Sequence, residues 1–159
     1  GSFRCVVYRN EAEAGEHLAL VKGDLSGPDP VFVRVQAFNI FDDIVSAQKV
    51  LELHTAMRMI DEAGRGAVVM IRSGNPAVLS TRVRAQFSDR ESPYLELRDY
   101  GVGAQILLDL GVSEMILLSN TKRTMVAIEG YGLKIVEQRS LKLKPTSPIP
   151  VPDDFYDRS

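Results

Sequence analysis

Cysteine and histidine are scarce in this chain: Cys5 is the lone thiol among 159 residues, and His17 and His54 are the two imidazoles. One cysteine excludes an internal disulfide framework and suits a reducing compartment. A zinc site needs three or four nitrogen, sulfur or carboxylate donors brought together. Cys5, His17 and His54 are far apart in sequence, with Cys5 expected to face the core from a strand. No apolar run approaches the roughly 20 residues that cross a bilayer, and no signal peptide is visible. Basic runs are missing as well. With 19 Lys and Arg against 21 Asp and Glu, the net charge is −2, so non-specific nucleic-acid binding has little electrostatic support. No Walker-type loop is present, and no Ser–His–Asp or Cys–His arrangement can be drawn from spacing. These exclusions leave a cytoplasmic protein with neither nucleic-acid nor membrane partners as the expectation.

The remaining composition, 45% apolar and 25% charged, is that of an ordinary globular protein, and the length suits one domain with a substantial core. The sequence opens at Gly1-Ser2 without methionine, which suggests a cloning remnant or a piece of a longer polypeptide. Residues 1–144 are expected to form the domain. Pro145 to Pro152 places four prolines in eight residues, so residues 145–159 are expected to be an irregular tail.

Short β-branched and apolar runs predict strands over Phe3–Tyr8, His17–Val21 and Val31–Val35, the first two joined by the acidic connection Asn10–Glu16. These three suggest a mostly antiparallel sheet. From Ile44 the period changes: Val50, Leu53, Met57 and Ile60 recur at helical spacing, with Asp42 or Asp43 as cap and Gly64 as stop. Strands over Ala67–Ile71, Met115–Ser119 and Leu133–Glu137 then alternate with helical stretches near Ser80–Phe87, Val102–Leu110 and Thr124–Glu129. Such alternation argues for an α/β fold with crossover units and a parallel or mixed sheet.

Three segments can bear chemistry. Ser119-Asn120-Thr121-Lys122 follows a strand and precedes a short helix, where backbone amides and the helix dipole favour an anion, or where an ordinary polar connection simply caps the helix. Arg98-Asp99-Tyr100 precedes Gly101-Val102-Gly103, whose glycines let the backbone approach a ligand or a neighbouring element closely. Arg72-Ser73-Gly74-Asn75-Pro76 is a turn at a strand's carboxyl end, with Arg72 its one anion-binding group. Residue types alone name no reaction.

Several stretches resemble GTP cyclohydrolase II of riboflavin biosynthesis: Glu16–Asp24 (EHLALVKGD), Val33-Arg34-Val35, Gly64-Arg65-Gly66, Leu97–Val112 (LRDYGVGAQILLDLGV), Leu117–Asn120 (LLSN) and Glu129–Leu133 (EGYGL). Their order and spacing match that family from Phe3 to about Leu141. The resemblance implies a zinc ion held by three cysteines, which activates the water that attacks the purine ring. At the corresponding positions this chain has Asn39, Ala47 and Lys49, none of which is a thiolate. A nucleotide-binding Glu-Gly-Arg-Gly-Ile-Gly-like loop is replaced by Gly74–Leu79, and the assisting tyrosine by Gln86. The catalytic aspartate becomes Glu96, the threonine that begins the family's Thr-Asn-Asn-Pro stretch becomes Ser119, and the lysine following that stretch becomes Thr124. The nucleophilic arginine is retained as Arg98.

The resemblance therefore implies a catalytically degenerate domain with no zinc or other cofactor. Its expected role is structural, regulatory or dimerising, as a homodimer fused to or associated with a 3,4-dihydroxy-2-butanone 4-phosphate synthase. The alternatives are a nucleotide or phosphate sensor built on Arg72, Arg98, Ser119, Asn120 and Lys122, and a metal-independent enzyme using Arg98 and Glu96.

Overall fold

A computed structural model describes residues 2–9, 15–37, 47–72, 80, 97–119 and 128–142. Within them, six strands and two helices follow one another in the order β1 (Arg4–Arg9), β2 (Glu16–Lys22), β3 (Val31–Ala37), α1 (Ala47–Ala63), β4 (Gly66–Ile71), α2 (Leu97–Asp109), β5 (Glu114–Leu118) and β6 (Lys134–Arg139). The strands form one mixed sheet in the order β1-β2-β4-β3-β5-β6. The expected Asp42–Asp43 cap, most of the stretch near Ser80–Phe87, most of Thr124–Glu129 and the tail lie outside the described residues.

β1 and β2 pair antiparallel, as the acidic connection predicts. β3 departs from the expected antiparallel trio: it runs parallel to both β4 and β5, and β4 separates it from β2. The cause is the crossover through α1, which returns the chain to the start of a parallel neighbour rather than turning it back on itself. β4 is buried along its whole length, as befits a central strand covered on both faces.

The two faces of the sheet carry different helices. Val33, Val35, Val69 and Ile71 pack into one apolar cluster with Ala104 and Leu107 of α2. Val68 and Met70, the alternate residues of β4, pack with Ala56 and Ile60 of α1. Period-two side-chain alternation thus divides the core into two layers. α1 stops where expected: Gly64 adopts φ +85° and donates its N–H to Ile60 O at 2.9 Å. α2 begins five residues before the expected Val102, so Arg98-Asp99-Tyr100 is its first turn.

Cys5 does not face the core. It lies on the exposed face of an edge strand, while Val6 and Tyr8 turn inward against the α2 layer. Alternation fixes that only one set can be covered; the position of α2 decides which.

Candidate functional site

In doubly wound sheets, ligands settle outside the carboxyl ends of the strands where consecutive connections leave for opposite faces. Here that place is the end of the adjacent pair β3 and β4, because the β3 connection leads to α1 and the β4 connection to α2. Arg72 stands exposed just past β4. Its backbone N–H donates to Nδ1 of buried His17 at 3.1 Å, which fixes the strand's exit against the start of β2. Ser119 stands just past β5 and is buried; its N–H donates to Arg139 O at 3.1 Å, and its carbonyl accepts from Gln138 Nε2 at 3.2 Å.

Of the remaining sequence-named residues, Arg98 occupies the first turn of α2 by its backbone, and Ala47 is the first residue of α1. Asn39, Glu96, Asn120, Lys122 and the side chains of Ala47 and Arg98 lie outside the described residues. The structure accordingly places Arg72 and Ser119 past the carboxyl ends of β4 and β5, with β3 lying between those two strands.

The two glycines at the start of α2 serve neighbouring elements. A Cβ on Gly101 would lie 2.8 Å from the Tyr131 ring, and one on Gly103 would contact Val35 at 3.5 Å and Ile71 at 3.7 Å. The first contact is tight and the second is ordinary packing distance, so it is Gly101 whose smallness lets α2 lie close to the turn before β6.

Lys49 marks a feature that sequence reading missed. Its ammonium lies 3.3 Å from Glu52 Oε2, and the same oxygen accepts from Arg34 Nη2 at 2.8 Å. Arg34 further donates from Nη1 to Leu118 O at 3.2 Å and from Nε to Gln36 Oε1 at 3.4 Å. Arg34 and Glu52 are both buried, so two strands and a helix meet on one ion pair. Burial pushes the Arg34 guanidinium pKa down, and the charge and hydrogen bond of Glu52 oppose that shift. The available signal was an arginine in the middle of an apolar strand, which demands a buried partner.

The family resemblance would hold a zinc ion through three thiolates. The amide, methyl and ammonium at positions 39, 47 and 49 supply no sulfur, and the ammonium is engaged with a carboxylate. Among the described residues, no group of three His, Cys, Asp or Glu side chains is placed to hold a metal. His54 is exposed on α1, away from buried His17 on β2.

A separate cleft of about 480 Å³ opens between β1–β2 and α2, lined by Tyr8, Arg9, His17, Gln105 and Asp109 among others. The Tyr8 hydroxyl donates to Asp109 Oδ2 at 2.9 Å. Partial burial first, then that bond and the carboxylate's charge, push the Tyr8 pKa up to about 12. Among the described residues, no helix is long and apolar enough to cross a membrane.

Comparison with known proteins agrees with this geometry. The GTP cyclohydrolase II family profile matches residues 1–140. Riboflavin biosynthesis protein RibBA of Chlorobium phaeovibrioides is 35% identical over 162 residues, covering 92% of this chain and 40% of that protein. RibBA proteins of Bacillus cereus strain AH187 and of Bacillus cytotoxicus are each 34% identical over 158 residues, with 90% of this chain and 40% of the relative covered. The chain spans about 40% of the length of these curated relatives. The mixed sheet, the two-faced helical cover and the match over residues 1–140 together place the chain in the GTP cyclohydrolase II family.

Proposed function

We propose that this chain is a catalytically degenerate GTP cyclohydrolase II-like domain of a riboflavin-biosynthesis protein. It acts as a structural, regulatory or dimerising module joined to a 3,4-dihydroxy-2-butanone 4-phosphate synthase, and it works without zinc. The observation that carries this reading is Lys49: where the resemblance implies a third thiolate, an ammonium pairs with buried Glu52. A cation built into the metal's surroundings repels a second cation, and Asn39 and Ala47 provide nothing to offset that. Joining to a synthase is supported by the relatives' length, 60% of which lies outside the match. The test is to delete the domain from its full-length parent. Lower synthase activity, stability or oligomer size is expected; a parent unaffected in all three would refute the module role.

A second reading is a nucleotide or phosphate sensor. It is favoured by Arg72 and Ser119 lying at the carboxyl ends of two strands of the parallel half, the edge where such sheets take ligands. Arg98, Asn120 and Lys122 complete the set by sequence. Calorimetric titration with GTP and with flavin and purine compounds decides it: heat lost on Arg98→Ala supports the sensor, and silence at millimolar ligand removes it.

A further inference from the structure

The cleft between β1–β2 and α2 has a chemistry opposite in sign to that of the strand ends where Arg72 stands. Val102, Gln105, Ile106 and Asp109 line it at three- and four-residue spacing, so one face of α2 forms its wall. Tyr8 faces them from β1, beside its buried cross-strand partner His17. The volume of about 480 Å³ falls within the roughly 300–1,000 Å³ of small-molecule sites. Val102, Ile106 and the Tyr8 ring supply apolar lining.

The polar groups select the occupant. The Tyr8 hydroxyl donates to Asp109 Oδ2 at 2.9 Å, which orients the carboxylate and leaves Oδ1 and the remaining lone pair of Oδ2 as acceptors. Among the described residues, no ammonium or guanidinium pairs with Asp109. Arg9, the cation that lines the cleft, is matched instead by Glu16, with Nε 3.2 Å from Oε1. Arg4 acts on Tyr8 as well, but less than Asp109 does. Asp109 is exposed, so an oriented carboxylate without a countercharge stands within reach of solvent beside apolar walls.

We propose that this cleft binds a small planar organic cation carrying two adjacent N–H donors, an amidinium or guanidinium. Such a fork matches the two oxygens of a carboxylate, and charge-assisted bonds of this kind are roughly twice as strong as neutral ones. The planar body lies against Val102, Ile106 and the Tyr8 ring, whose face also attracts a cation. Anionic ligands are disfavoured, because Asp109 repels them and Arg9 is already engaged. A neutral amide would set its carbonyl oxygen against the carboxylate.

This inference depends on neither reading under Proposed function. The test follows backbone amide shifts of the 159-residue chain by NMR during titration with benzamidine, with benzamide and benzoate as controls of the same shape. Benzamidine should move the signals of Tyr8, Val102, Gln105, Ile106 and Asp109 along one saturating curve. Benzamide should bind about tenfold more weakly or worse, and benzoate should leave the cleft signals in place. Asp109→Asn keeps an oxygen for the Tyr8 hydroxyl at an exposed position, and should weaken benzamidine about tenfold or more. Benzamide binding as tightly as benzamidine would overturn the proposal on the unsubstituted chain alone. So would affinity undiminished by Asp109→Asn, shifts that avoid the cleft, or no saturation at millimolar benzamidine.

Discussion

The guanidinium of Arg34 and the carboxylate of Glu52 meet at 2.8 Å in the interior, and this pair joins β3 to α1 while Leu118 O ties the same guanidinium to β5. Removing one member of a buried pair leaves an uncompensated charge and destabilises by about 3–5 kcal/mol, whereas replacing both with apolar groups is often close to neutral. Arg34→Met should therefore lower stability in urea unfolding by about 3–5 kcal/mol. Arg34→Met with Glu52→Leu should fall well short of the summed single losses. Additive losses would mean that the two groups are not coupled.

Tyr8 supplies a spectroscopic handle. Its pKa is raised from 10.0 to about 12, so phenolate absorbance followed against pH should show a late tyrosine step. Because the folded-state value lies above the unfolded one, the associated stability is complete below pH 10 and is lost as pH rises towards 12. Tyr8→Phe should delete the late step, and Asp109→Asn should move it to lower pH. A late step retained in Tyr8→Phe would assign it to another residue.

Asp61 offers the opposite sign. The hydrogen bond from Lys22 is the main cause of its lowered pKa, with burial opposing and the Lys22 charge assisting. A depressed carboxylate stabilises the fold above its unfolded pKa, and that contribution fades as pH falls through the folded value. Asp61→Asn should thus reduce stability near neutrality and flatten its decline in acid. Parallel acid unfolding curves for the variant and the unsubstituted chain would contradict this.

Gly101 sets two effects against each other. Helix propensity alone favours alanine there by about 1 kcal/mol. Crowding against the far end of the Tyr131 side chain, which a Cβ would reach at 2.8 Å, offsets part of that gain as the exposed ring shifts. Gly101→Ala should stabilise by less than this alone, and by about 1 kcal/mol in a Tyr131→Ala background. Thermal melts of the four chains check this, and equal effects in both backgrounds would rule out the contact.

Local patterning made most elements legible. The Val50, Leu53, Met57 and Ile60 stripe marked α1, and the apolar run Ala67–Ile71 marked β4 as a strand. Strand order was not legible, because β3 could pair with β2 or with β4 on local grounds, and the α1 crossover decides between them. The face of Cys5 escaped for the same reason, since helix placement is a tertiary choice. Arg34 announced a buried partner without naming it; Glu52 lies 18 residues on, in another element. Of the candidate site, Arg72 and Ser119 fall at strand ends as expected, while the loops between carry the remaining residues outside the described ones.

The most direct measurement is formate release from GTP by the purified chain supplied with zinc. With Asn39, Ala47 and Lys49 in place, formate should stay at the level of a protein-free blank. Zinc-dependent formate, abolished by a chelator and by Arg98→Ala, would contradict the loss of GTP cyclohydrolase II chemistry.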